Sequence, residues 1–190
     1  YHLLGIKGMY ISSIVFLMIL LFVVFKTNVF VSKSKTVAAF GTFICTLAIS
    51  GFVTARAQLI SFILFALEIF FIENFLEKKK NKYLGGLLLI SLILCNIHVA
   101  VWPFYFIVYL PYLAEYVVAV IKAKIKRKNK FLLFLDKKLD IQKNDGIKYL
   151  FLTMILSLFT GLMTPIGDTP YTYLIKTMMG NSQKYIQEHQ

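Results

Sequence analysis

Apolar residues arrive in this chain as unbroken runs rather than as stripes. From Ile11 to Phe25 no charged residue interrupts the run on any face, whereas a helix on the surface of a water-soluble domain keeps one polar face. Six such runs can be marked: Met9–Phe25, Val37–Val53, Leu59–Phe75, Leu84–His98, Val101–Ile121 and Tyr149–Met163. At about 1.5 Å per residue, a run of about 17 residues reaches about 25 Å, the short end of what crosses a bilayer. The fourth run is the shortest and is expected to stop below the outer interface. The pattern predicts an all-α fold, a polytopic transmembrane helix bundle of about six spans with interfacial amphipathic helices. No repeat or low-complexity segment divides the chain, so 1–190 reads as a single transmembrane domain, expected to be part of a longer protein.

Composition agrees with the pattern. Of 190 residues, 58% are hydrophobic and 16% charged, against about a quarter charged in soluble domains. The net charge of +12 would point a soluble protein toward nucleic acid. Here the basic residues sit in short loops between apolar runs, so they read as topology signals and contacts to anionic lipid, with no nucleic-acid role. Lysine outnumbers arginine by 19 to 2, the residue usage of an AT-rich bacterial genome. Cys45 and Cys95 lie inside apolar runs without the spacing of a metal site and are expected to be small buried hydrophobes.

The loops also set an orientation. Lys26, Lys33 and Lys35 follow the first run, Lys78, Lys79, Lys80 and Lys82 the third, and ten more basic residues lie from Lys122 to Lys148. Seventeen of the 21 basic residues therefore fall on one side. The excess of Lys and Arg in cytoplasmic loops places that side inside the cell and the N-terminus outside, as a multi-pass protein of the cell membrane. Residues 122–148 read as a cytoplasmic basic loop, in which Phe131, Leu132, Leu135 and Leu139 share one face of an interfacial helix. Residues 164–190 read as an extracytoplasmic segment.

This topology brings Arg56, Asn96, His98, Trp102 and Asp168 to the outer surface. Arg56 opens the third run and can grip a phosphate or carboxylate through two hydrogen bonds, or reach to the headgroups. Asn96 and His98 close the fourth run, where they either bind a substrate or satisfy the last carbonyls of a helix, with Trp102 as an interfacial belt residue. Asp168 lies in a Pro/Gly turn, where it is a ligand contact or a helix cap, with Pro170 in the first helical turn. Two acids fall inside apolar runs: Glu68 at mid-depth and Glu115 nearer the cytoplasm. No phosphate loop, nucleophile elbow, zinc motif or dinucleotide fingerprint is present.

Taken together, the stretches Arg56-Ala57-Gln58, Asn96-Ile97-His98, Thr164-Pro165-Ile166-Gly167 and Ile186-Gln187-Glu188 resemble motifs of polytopic GT-C glycosyltransferase-like membrane proteins. Relatives there carry Arg-Pro-Gln at the start of a span, Trp-x-Asn-x-His-Gly at the end of the next, then Asn-Pro-x-Gly and Ile-Thr-Glu-Trp. Order and spacing match across most of the chain. Ala57 stands for the proline, Leu94 for the tryptophan, Val99 for the glycine, Thr164 for the asparagine, Gln187 for the threonine and His189 for the final tryptophan. The resemblance implies transfer of a sugar from a polyprenyl-phosphate carrier on the extracytoplasmic side. Arg56, Gln58, Asn96, His98 and Asp168 would then be substrate-binding residues. No cofactor is expected; a divalent metal is possible but not indicated. The catalytic base in this family sits in a first outer loop, which this chain begins after, so no catalytic residue is named. Membrane lipids and the lipid-linked sugar are the expected partners. Two other readings stay open: a proton- or cation-coupled transporter using Glu68 and Glu115, and a non-catalytic membrane assembly subunit.

Overall fold

The computed structural model describes residues 5–52, 57–124 and 144–179, and these are helical with no strand. Seven α-helices follow in order: α1 Gly5–Ser32, α2 Lys35–Ile49, α3 Ala57–Lys78, α4 Lys82–Ile97, α5 Trp102–Lys124, α6 Gly146–Leu158 and α7 Thr169–Met179. Short 3-10 turns at Ser50–Phe52 and Phe159–Leu162 extend α2 and α6, and Val99–Val101 joins α4 to α5.

Each of the six apolar runs has become helix. Three stretches, Lys7–Ser32, Gln58–Lys78 and Val99–Ile121, are long and apolar enough to cross a membrane. The other three, Lys35–Ile49, Lys82–Ile97 and Gly146–Leu162, are shorter apolar helices. The interfacial helix expected around Phe131–Leu139 lies outside the described residues, as do 180–190 of the expected extracytoplasmic segment.

Local chemistry explains where the helices stop. Lys33 and Lys79 adopt left-handed backbone conformations, with φ of 55° and 54°. Their amides bond back to the Val29 carbonyl at 3.0 Å and the Phe75 carbonyl at 2.8 Å, ending α1 and α3. Ser34 starts α2 by accepting from the Val37 amide at 3.4 Å. Pro111 sits inside α5; the ladder bond it removes is tolerated where neighbouring helices support the backbone.

Helix α3 is the hub, packing against α1, α4, α5 and α6. Ile72 and Phe75 meet Leu87 and Leu94 of α4, Tyr105 and Tyr109 of α5, and Leu150 of α6 in one core. A second cluster of Leu20, Leu59 and Ile63 joins α1 to α3. Outside these cores, Ile14, Met18, Phe22, Phe40, Phe43 and Leu110 are exposed, whereas Ser61, Glu68, Asn74, Ser91 and Ser157 are buried. Large apolar side chains on the outside, with hydroxyl, amide and carboxyl groups among the buried ones, suit a lipid surrounding. Cys95 is buried as expected, but Cys45 is exposed, because it lies on a face of α2 that no other described helix covers.

The interior polar groups hold the helices together. The Trp102 indole donates to Ser91 Oγ at 3.0 Å, and Ser91 Oγ lies 2.8 Å from Thr160 Oγ1. Tyr105 donates to the Leu87 carbonyl at 3.0 Å and sits 3.0 Å from Ser157 Oγ and 2.6 Å from the Tyr109 hydroxyl. Trp102 is therefore not an interfacial belt residue: it is 2% exposed, since the Ser91 acceptor draws its ring inward.

The Lys-bearing connections share one end of this bundle. Lys33 Nζ meets Glu77 Oε2 at 3.0 Å, and Lys79 Nζ donates to the Asn144 carboxamide oxygen. Lys33 and Lys78 both stand over the Phe30 ring, at 4.3 and 4.9 Å from its centre.

Trp102 is the single tryptophan and reports on the joint it makes. Ser91→Ala removes the indole's acceptor and is expected to cost about 1–2 kcal/mol. Thermal unfolding in detergent, followed by Trp102 emission, measures it; an unchanged midpoint would remove Ser91 from the joint.

Candidate functional site

The end of the bundle away from the lysines is built by the start of α3, the end of α4, the start of α5 and the turn after α6. Arg56 lies outside the described residues. Gln58 follows in the first turn of α3 and is half-buried. One turn further on, Ser61 Oγ lies 2.9 Å from His98 Nδ1. The half-buried imidazole thus joins the end of α4 to the opening turns of α3.

Asn96 behaves differently. Its side chain is exposed, and its amide donates to the Leu92 carbonyl at 2.9 Å, one turn back along its own helix. The backbone of His98 closes α4 by donating to the Leu94 carbonyl at 2.9 Å. Asn96 therefore satisfies a helix carbonyl, one of the two roles its position allowed.

The turn after α6 returns to the same place. Gly161 sits where an added Cβ would lie 2.7 Å from the Tyr171 hydroxyl and 3.1 Å from the Trp102 ring. Only glycine admits both aromatics. Tyr171 donates to the Leu158 carbonyl at 2.6 Å and meets the Trp102 ring edge-on, with centroids 5.6 Å apart. Through these contacts α7 packs on the Val99–Val101 turn beside His98.

Asp168 stands just before α7. Its carbonyl accepts from the Tyr171 and Thr172 amides, both at 3.1 Å, which is the backbone role of a helix cap. Its exposed carboxylate accepts from Lys176 Nζ at 3.0 Å and from the Thr172 hydroxyl at 3.3 Å. The hydrogen bond and charge of Lys176 hold this carboxyl below the usual aspartate range. Pro170 lies in the first turn of α7, as the sequence predicts.

Two further polar features lie along the bundle. Glu68 is fully buried, and neither carboxyl oxygen has a hydrogen-bond partner among the described residues. An unmade hydrogen bond to a buried polar group costs about 1–3 kcal/mol, more where the group is charged. Nearer the Lys-bearing end, a cavity of about 660 Å³ is lined by Glu73, Glu77, Glu115, Asp145, Lys79 and Tyr112 among others. Glu115, within the candidate span Val99–Ile121, is exposed and lines this cavity. Tyr112 donates to Glu73 Oε1 there at 2.8 Å. Partial burial draws the Lys79 ammonium below its usual range, and the neighbouring Asp145 opposes the shift. Among the described residues no group of three or more His, Cys, Asp or Glu is arranged to hold a metal ion.

Sequence reasoning missed Ser61, the partner of His98, and the Ser91, Thr160 and Tyr105 partners inside the bundle. One signal was available: hydroxyl side chains within apolar runs are the usual bonding points between membrane helices. Tyr105, Tyr109 and Tyr112 also recur at helical spacing on one face of α5.

The chain matches no family model, no curated protein and no solved structure.

The Asp168–Lys176 pair makes a pH prediction. A carboxyl whose folded pKa is depressed contributes stability above its unfolded value and loses it as pH falls through the folded value. Acidification below the ordinary aspartate range is therefore expected to loosen α7 and change Trp102 emission through Tyr171. The step is small, because the pair is exposed and screened by salt. In Asp168→Asn the low-pH step should vanish; an identical titration in both proteins would show that the pair holds nothing.

Proposed function

We propose that this chain is a multi-pass protein of the bacterial cell membrane with six embedded helices, its N-terminus outside and its Lys-rich connections in the cytoplasm. We further propose that it acts as a GT-C-like glycosyltransferase on a polyprenyl-phosphate-linked sugar at the extracytoplasmic end. The observation that carries this reading is the meeting of separate motif stretches at one end of the bundle. His98 bonds to Ser61, one turn beyond Gln58, and α7, just after Thr164–Gly167, packs on the turn following His98. Stretches 37 and more residues apart in sequence thus share one surface.

In this reading Arg56 binds the carrier phosphate as a two-pronged donor. Gln58, His98, Asn96 and Asp168 line the substrate surface, with the exposed Asn96 side chain and the His98 ring as acceptor contacts. An outer-loop carboxylate elsewhere in the protein removes the acceptor proton, and cations steady the departing phosphate. Membrane lipid surrounds the bundle. A non-catalytic assembly role would leave this surface with nothing to bind.

Two measurements test the proposal. Arg56→Ala in the whole protein is expected to lower carrier-lipid turnover about 10²-fold, the scale of losing one stabilising donor at a departing charge. Transfer by the purified variant at the wild-type rate would end the phosphate role. For the topology, a reporter fused at Lys80 should fluoresce in the cytoplasm, and one fused at Asp168 should act as an exported phosphatase. The opposite pattern would overturn the orientation.

A further inference from the structure

At the end of the bundle away from the lysines, His98 spends only one of its ring nitrogens on the fold. Nδ1 lies 2.9 Å from Oγ of the buried Ser61. Nε2 has no hydrogen-bond partner among the described residues. It is not shut away either: the buried side-chain nitrogens and oxygens without a partner are Glu68 Oε1 and Oε2 and Thr164 Oγ1. The half-buried imidazole is therefore held by one nitrogen and open at the other.

A neutral imidazole carries its proton on one nitrogen and accepts at the other, and the bond made by the first decides which. Ser61 can donate to Nδ1 or accept from it, but a hydroxyl has a single hydrogen. Helix hydroxyls of this bundle repeatedly spend that hydrogen on the carbonyl one turn back. Thr27 donates to the Val23 carbonyl at 2.9 Å, Thr42 to Ala38 at 2.7 Å, Thr153 to Tyr149 at 2.8 Å and Ser157 to Thr153 at 2.9 Å. Ser61 lies in the second turn of α3, where the carbonyl one turn back is that of Ala57. A serine that donates to a backbone carbonyl and accepts a ring N–H already occurs at Ser91. It donates to the Ser157 carbonyl at 3.3 Å and accepts from the Trp102 indole at 3.0 Å.

We infer that Ser61 is a positioning residue: its oxygen accepts the Nδ1–H of His98 and so fixes the neutral ring with an unprotonated, open Nε2. That nitrogen offers a lone pair. It accepts from a hydroxyl, and it repels the lone pairs of a phosphate or carboxylate oxygen. On the transferase reading above, on which this step alone rests, His98 takes a hydroxyl of the acceptor and leaves the carrier phosphate to Arg56. The tautomer itself depends only on the contact between α3 and the end of α4.

Nitrogen NMR of the full protein in nanodiscs, isotope-labelled at its histidine nitrogens, reads the tautomer directly. The His98 signals are those lost in His98→Gln. In alkaline buffer, where imidazoles are neutral, His98 is expected to show a protonated Nδ1 and an unprotonated Nε2. A protonated Nε2 in the wild type would overturn the inference, whatever the variants do. Ser61→Ala, checked for folding by Trp102 emission, is expected to move the proton to Nε2 in part or in full, and Ser61→Thr to keep the wild-type pattern. An unchanged pattern in Ser61→Ala removes Ser61 from the positioning role. In a transfer assay Ser61→Ala should raise KM for the acceptor about tenfold, the scale of one lost hydrogen bond, with KM for the lipid-linked donor unchanged. A rise for the donor instead sinks the acceptor contact. If the wild type transfers no sugar, the transferase reading fails, and the spectra still decide the tautomer.

Discussion

A helix bundle with an apolar outside has nowhere to make hydrogen bonds except between its own helices, and this constraint organises everything else in the molecule. Its clearest expression is Ser91. One hydroxyl on α4 accepts the Trp102 indole of α5 and meets Thr160 in the turn after α6, so three helices are joined through a single oxygen. One turn away, Tyr105 repeats the arrangement with the Leu87 carbonyl and Ser157. Lipid gives helices no hydrophobic reason to associate, since tails are as apolar as leucine. Close packing and these bonds must supply it.

Close approach needs small residues where large ones converge. Gly161 leaves room for Tyr171 and Trp102 together, and Gly86 admits the Phe71 ring where a Cβ would overlap it. The consequence at the end of the bundle is functional as well as structural. With Trp102 drawn inward and Tyr171 stacked against it, α7 is held beside the turn that carries His98. A surface assembled from four helices is thereby fixed by contacts lying just beneath it.

The two ends of the molecule differ in electrostatic character. At one, lysines are paired with Glu77 and Asn144 or spread over the Phe30 ring, and carboxylates line a cavity. At the other, the polar residues are mostly neutral, and Asp168 is matched by Lys176. Between them Glu68 breaks the rule that interior polar groups are satisfied.

The sequence by itself determined the helical class and the positions of six apolar helices. Length of apolar run and charge in the loops are one-dimensional properties, and the helix satisfies its own backbone wherever it sits. Pro170 in the first turn of α7 is local too and was readable, whereas the left-handed backbone of Lys33 and Lys79 is local but was not foreseen. Which helices reach spanning length was not fully readable, because the ends depend on caps such as Lys33 and Ser34 as well as on hydropathy. Tertiary structure alone decided which polar residues meet. Nothing in the apolar run around Ser61 names His98 as its partner 37 residues away, and Trp102 looks like an interfacial residue until Ser91 is placed beneath it. Cys45 and Cys95 read alike in sequence, yet α2 leaves one uncovered while α4 buries the other. Partners across helices are set by packing angles and small-residue contacts distributed over several runs, and no single run contains that information.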